Sequence, residues 1–397
     1  MALNLPPDIE LIADAIFEHR PDIIVVIPAC DEDAYIGSCL ESLCNCKLLN
    51  FNVTILTVIN HGYLTASHIK DSNLKTLQIL ESINDHHNNL QIVVSYPTEG
   101  INGVGSARKW GMDIAKDAFK KQVQNGIIVC LDADCTVEKN YFVEIWSAFS
   151  NNLDKYAASI YFEHPIHHEN IIRYELHLRY FIDIQRWLGL PYAYQTVGSA
   201  MAVRSEAYTA MGGMNKRQAG EDFYFLHKFI SIGRCFEINA TCVYPSARKS
   251  DRVPFGTGKA MKNIESNKGE MKTYHPDNFE IVRDFCYMVM HTYQDSNFNL
   301  EKIKPLEEWL AVEKFDKKLV EIKEHTSNFE SFKKRFFQWF DAFKLMKCLH
   351  HLRSHREDIP VLQATNSYCQ KRYGTRFDTA LQALEYLRMI AKKETNF

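Results

Sequence analysis

Four short β-branched runs, separated by stretches of helical spacing, constrain this chain more than any other feature of its sequence. Asp22-Ile-Ile-Val-Val-Ile27 is almost continuously apolar, as a strand buried on both faces must be, and Pro28 is expected to end it. Similar runs follow at Val53 to Ile59, Ile92 to Val94 and Ile127 to Leu131. Parallel strands need a crossover between them, so this alternation predicts βαβ units and a mostly parallel α/β sheet with flanking helices. Later candidates at Ala157 to Phe162, Ser199 to Val203 and Ala240 to Tyr244 are spaced less regularly, which predicts a mixed second half. A short helix is expected over Asp8 to His19.

From about Glu265 to Glu280 the sequence turns polar, and beyond it the strand signals stop. This predicts a sheet domain over 1–270 and an all-helical C-terminal domain over 271–397. Ser327 and Glu330 read as a capping box, followed by Phe329, Phe332, Phe336, Trp339, Phe343 and Met346 at spacings of three and four, which predicts one amphipathic helix. Phe336, Phe337, Trp339 and Phe340 stand beside Lys333, Lys334 and Arg335. A core-facing or homodimer-forming helix is the favoured reading, with peripheral membrane contact as the alternative. A last helix is expected from Asp378 to Ala391.

Composition excludes several classes. The 397 residues carry a net charge of -3, which gives no global basis for tracking a nucleic-acid backbone. The opening residues lack a basic flank followed by an apolar run, and nowhere is an apolar stretch long enough to span a bilayer, so a cytoplasmic protein is expected. Eleven cysteines, many in apolar patterns, fit reduced thiols. Cys44 and Cys46 have no second pair at zinc-finger spacing.

Chemistry is carried by four segments. Asp132-Ala133-Asp134 follows the fourth run and should emerge in the crevice at the strand ends. Two carboxylates one residue apart can share a hard divalent cation with a diphosphate, although Asp also favours turns and helix caps. Gly103 to Arg108 opens a helical pattern whose amides and arginine can meet an anion, or is an ordinary glycine loop. Gly220-Glu221-Asp222 precedes a Phe-rich helix and offers either a general base or acids that oppose the helix dipole. Arg248-Lys249-Ser250-Asp251-Arg252, then Gly256 to Lys259, is a phosphate-closing loop or a solvated basic one.

Together with Pro28-Ala29-Cys30-Asp31-Glu32 and Gly212-Gly213-Met214-Asn215, these segments arrive in one fixed order, and the chain resembles the family-two glycosyltransferases of the GT-A fold over roughly Asp22 to Gly258. The resemblance implies an inverting, metal-dependent glycosyltransferase of the hexosyl type using a nucleotide diphosphate sugar. Pro28, Asp31, Glu32, Gly103 and Arg108 would lie on the donor side. Asp132 would face the ribose or the metal, Asp134 would ligate magnesium or manganese directly as in a DXD motif, and Arg248 and Arg252 would meet the diphosphate. Asp222 would be the base and Glu221 would fix it or the acceptor. A UDP-sugar is favoured, but Asn60-His61 stands where the family commonly places an acidic residue for the base, and this weakens the case for uracil. Gln185-Arg186-Trp187 lacks the position of the processive enzymes' motif and reads as helix packing. A non-catalytic nucleotide-sugar-binding protein and a sugar-phosphate nucleotidyltransferase are the alternatives. The acceptor is not specified by the sequence, because acceptor pockets share no code.

Overall fold

The computed structural model describes residues 3–5, 8–83, 89–96, 100–215, 220–248, 256–267, 269–293 and 301–393. Along the chain come β1 (Leu3–Leu5), α1 (Ile9–His19), β2 (Ile23–Ala29), α2 (Ile36–Cys44), β3 (Val53–Ile59), α3 (Ser67–Ser82), β4 (Leu90–Ser95), α4 (Val104–Gln122), β5 (Ile127–Cys130), β6 (Thr136–Val137), α5 (Tyr141–Asn151), β7 (Ala157–Phe162), α6 (Glu169–Trp187), β8 (Met201–Arg204), α7 (Ser205–Ala210), α8 (Glu221–Ile230) and β9 (Cys235–Tyr244). Every strand expected from the sequence is present.

The nine strands form one sheet in the order β1-β4-β3-β2-β5-β8-β7-β9-β6. From β1 to β5 all neighbours are parallel, whereas β8 runs antiparallel to both β5 and β7, and β6 antiparallel to β9. The sheet is therefore mixed in its second half, and the architecture is an α/β sheet with flanking helices, as the sequence predicts. β2, β3 and β5 are buried at every position, which is why their sequences are continuously apolar rather than alternating.

Pro28 does not end its strand: β2 continues through it to Ala29, with Pro28 opposite Val58 of β3. The ladder to β5 on the other side stops at Val26 and Cys130, so the missing proline N–H falls where no β5 partner stands. α4 packs against β2 and β3 at Gly111, where an added Cβ would lie 2.4 Å from Val26 Cγ1 and 3.0 Å from Val58 Cγ2. Chain order reverses beside β2, so the carboxyl ends of β2, β3 and β5 open one crevice.

By internal contacts the chain forms two compact units, one of 1–167, 195–262 and 392–397, the other of 168–194 and 263–391. The second unit takes α6 together with α10 (Pro276–His291), α11 (Glu307–Val312), α12 (Phe315–Glu324), α13 (Phe329–Trp339), α14 (Ala342–Leu352), α15 (Val361–Tyr373) and most of α16 (Ala380–Lys393), numbered after α9 (Thr257–Ser266), which straddles the division. It is helical apart from a two-residue ladder, Lys272–Thr273 with Ile359–Pro360. Glu175 and Asp183 of α6 are buried, Glu175 taken by Arg179 and Arg388, and Asp183 by Arg372, Tyr368 and Tyr373.

The helix predicted from Phe329 through Met346 is two helices. Asp341 caps the Lys344 amide at 2.8 Å and starts α14, so the chain breaks after Phe340. The cap of α13 is Asn328 with Ser331, one residue beyond the predicted Ser327 and Glu330. Phe332, Phe336 and Phe340 are fully buried, Phe336 and Phe340 against Phe285 and Phe332 against Tyr293, while Lys333, Lys334 and Arg335 face outward. The middle of the aromatic stripe is core, whereas Phe329 and Phe343 at its ends are exposed. Among the described residues no helix is long and apolar enough to cross a membrane.

Val123 follows α4 with φ 57°, in the left-handed region, and its side chain is 94% exposed. A β-branched residue is poorly suited to that region and here has almost no packing to lose. Val123→Gly is expected to stabilise the protein by about 1 kcal/mol, read from the midpoint of urea unfolding; an unchanged or lower midpoint contradicts it.

Candidate active site

The parallel strands deliver two carboxylate groups to one crevice, and each is closed by an arginine. Asp132 lies two residues past the end of β5, and the turn that Cys135 closes onto the Asp132 carbonyl carries Asp134 beside it. Asp31 and Glu32 follow β2. Asp31 has φ 61°, and its amide donates to Asn73 Oδ1 at 3.0 Å. Asn73, buried in α3, in turn donates to the Asn60 carbonyl beyond β3, so the tips of two neighbouring strands are tied through one amide side chain.

On the first side, Glu32, Asp134 and Arg248 meet. Arg248 Nη2 donates to Glu32 Oε1 at 2.5 Å and Nε to Asp134 Oδ2 at 2.8 Å. Its guanidinium lies 4.3 Å above the ring centre of Tyr35. Burial works against the charge on Arg248, but these carboxylates outweigh it.

On the second side, Asp132, Arg108, Glu221 and Asp222 meet. Arg108, on the second turn of α4, is 2% exposed, and its Nη2 donates to Asp132 Oδ1 at 2.6 Å while Nη1 pairs with Glu221. Gly198 backs the guanidinium so closely that a Cβ there would come within 2.9 Å of Nη1. Glu221 and Asp222 form the first turn of α8, after Gly220 in the left-handed region, with Phe225, Leu226 and Phe229 fixing the helix in the core. Burial, then repulsion from Glu221, pushes the half-buried Asp222 carboxyl up to about 6, against the pull of Arg108 and the Phe223 amide. Burial lowers the neighbouring His227, whose ring lies 4.3 Å from that of Phe223, to about 4. At neutral pH that imidazole carries no charge.

The two sides are continuous through Asp132-Ala133-Asp134. The buried Cys39 thiol, against the Asp132 carbonyl, feels Asp134, Asp132 and Glu32 together, and burial with these charges raises its pKa strongly. None of the eleven cysteines forms a disulfide. Five carboxylates face two guanidiniums among these described residues, which leaves three negative charges when all are ionised. Among the described residues no group of three or more His, Cys, Asp or Glu side chains forms a metal cage.

Of the residues singled out from sequence, Glu32, Asp134 and Arg248 come together, as do Arg108, Asp132, Glu221 and Asp222. Pro28 lies within β2, and Gly103 caps α4 with φ 83°. Arg252 lies outside the described residues. Sequence reasoning missed Tyr35, Asn73 and Gly198. Asn73 is a polar residue on the buried face of a helix, a signal visible only once that face is known.

The family described as glycosyltransferase like family 2 matches residues 21–226, more than half of the chain. No curated protein matches it. Among solved structures it is similar to S. aureus TarS 1-349, with a TM-score of 0.42 and 15% identity over 90% of this chain and 94% of that one. It is also similar to TarS 1-349 in complex with UDP-GlcNAc, with 0.41 and 14% over 72% and 78%.

Asp222 also fixes the sign of a stability effect. Its folded pKa lies above the unfolded value of 3.8, so its ionisation opposes folding progressively as pH rises from about 4 past about 6. Asp222→Asn is expected to be more stable than the parent by about 1–3 kcal/mol near neutral pH, with the gain vanishing towards about pH 4. Urea unfolding across that range checks this; a gain that grows on acidification contradicts it.

Proposed function

We propose, because the chain belongs to glycosyltransferase like family 2, that it transfers a sugar from a nucleotide diphosphate donor to an acceptor hydroxyl with inversion, Asp222 acting as the base. The observation that carries this reading is the Asp222 carboxyl pushed up to about 6, in a first helical turn held to the β5 tip through Glu221, Arg108 and Asp132. A hydroxyl is a poor nucleophile near neutral pH. A carboxylate with a raised pKa takes its proton more readily and is still ionised at pH 7, and a base so placed contributes roughly 10²–10⁴-fold.

In the step, the acceptor O–H gives its proton to an Asp222 oxygen as its own oxygen bonds to the anomeric carbon. The bond from that carbon to the donor diphosphate breaks with its electron pair going to the leaving oxygen, and attack from the opposite face inverts the centre. Glu221 carries the paired charge that locks Arg108, so the base cannot swing away from the donor side.

Asp132 and Asp134 fit a divalent cation. The surplus of negative charge around them is unfavourable for a diphosphate, and magnesium takes one or two carboxylates and completes its shell with phosphate and water oxygens. When bound there, magnesium or manganese would supply the positive charge that stabilises the departing diphosphate.

Screening nucleotide sugars against candidate acceptors tests the reading. Transfer should rise with pH through about 6, and Asp222→Asn should keep donor binding while transfer falls by at least ~10²-fold. Equal transfer by variant and parent removes Asp222 from the role, and pyrophosphate among the products points to nucleotidyl transfer instead. Chelation should weaken UDP binding by calorimetry, with manganese restoring it. An affinity indifferent to chelator would assign the neutralisation to arginines alone.

A further inference from the structure

The two arginines of the site differ in a way the proposed reaction does not require. Each pairs with two carboxylates, but the Arg108 side chain is 3% exposed, whereas the Arg248 side chain is 17% exposed. Its one planar cation joins Glu32 after β2 to Asp134 after β5, with Tyr35 supplying an aromatic face. Two carboxylates brought this close raise each other's energy unless a cation lies between them, and a guanidinium with two donor edges and a stacked face satisfies both. Arg248 therefore already neutralises the carboxylate that a divalent cation would use.

We propose that Arg248 is a resident counter-ion of Asp134, which a divalent cation must displace. The proposal rests on the metal-dependent reading above. A dication beside Asp134 repels the guanidinium at a few ångströms, so the two exclude each other from that carboxylate. A diphosphate relieves the conflict, because its oxygens accept from the released guanidinium as well as from the cation. Cation and nucleotide then bind with positive cooperativity: without the diphosphate the cation competes with the protein's own arginine, and with it Arg248 has another anion to hold. Tyr35 is a positioning residue here, since its ring keeps the guanidinium in the plane that reaches both carboxylates.

The test is manganese binding to the full chain, read by electron paramagnetic resonance with and without UDP, for the parent, Arg248→Gln and Tyr35→Leu. Arg248→Gln removes the charge and keeps an N–H donor on a shorter side chain. Without UDP it should bind manganese about tenfold tighter than the parent, and the gain in manganese affinity that UDP brings should shrink. Tyr35→Leu, which leaves both ion-pair partners in place, should shift in the same direction by less, and it carries the test if Arg248→Gln does not fold by circular dichroism. Manganese affinity without UDP that is unchanged or weaker in the folded variants overturns the proposal while leaving metal dependence standing, provided the parent takes up manganese with UDP. No manganese uptake by parent or variants under either condition removes the metal reading and this proposal with it.

Discussion

The ion pairs of Arg108 hold the candidate site together. A buried guanidinium is tolerated only with its charge matched, and here Asp132 from the sheet and Glu221 from α8 each take one terminal nitrogen, while Nε has no acceptor among the described residues. Removing either partner would leave a buried charge half satisfied, so the helix that presents Asp222 is tied to the strand that presents the acidic pair. Gly198 is part of the same constraint, because any side chain there would fill the space of the guanidinium.

From that tie the electrostatics follow. Asp222 lies next to Glu221 but does not share its arginine as an ion-pair partner, so burial and its neighbour's charge push its proton affinity up while Arg108 only partly offsets them. Two adjacent carboxylates thereby differ: Glu221 is held in an ion pair and Asp222 keeps a raised proton affinity. At the other end of the acidic pair, Arg248 is more exposed and is backed by an aromatic ring rather than a tight backbone, which suits an exchangeable partner.

Much of this was legible in the sequence because burial on both faces leaves a simple mark. β3 and β7 fall on the residues their apolar runs predict, and β2 overruns its prediction only because Pro28 faces a side where no ladder bond is needed. The acidic segments were legible because strand ends and helix starts are where such residues emerge. Less visible was what joins them. Asn73, Tyr35 and Gly198 act across 42, 213 and 90 residues of chain respectively, through contacts that no local period encodes. The break at Phe340 was hidden because three-and-four spacing of aromatics continues across it, and only the capping Asp341 distinguishes two helices from one.

The central claim is that the fold raises the proton affinity of Asp222 into the range of a working base. Carbon-13 NMR of the full chain labelled at aspartate carboxyls, with the Asp222 resonance assigned by its loss in Asp222→Asn, reads this without any substrate. The account predicts a midpoint near 6. A midpoint near the ordinary aspartate value of about 3.9 would contradict it.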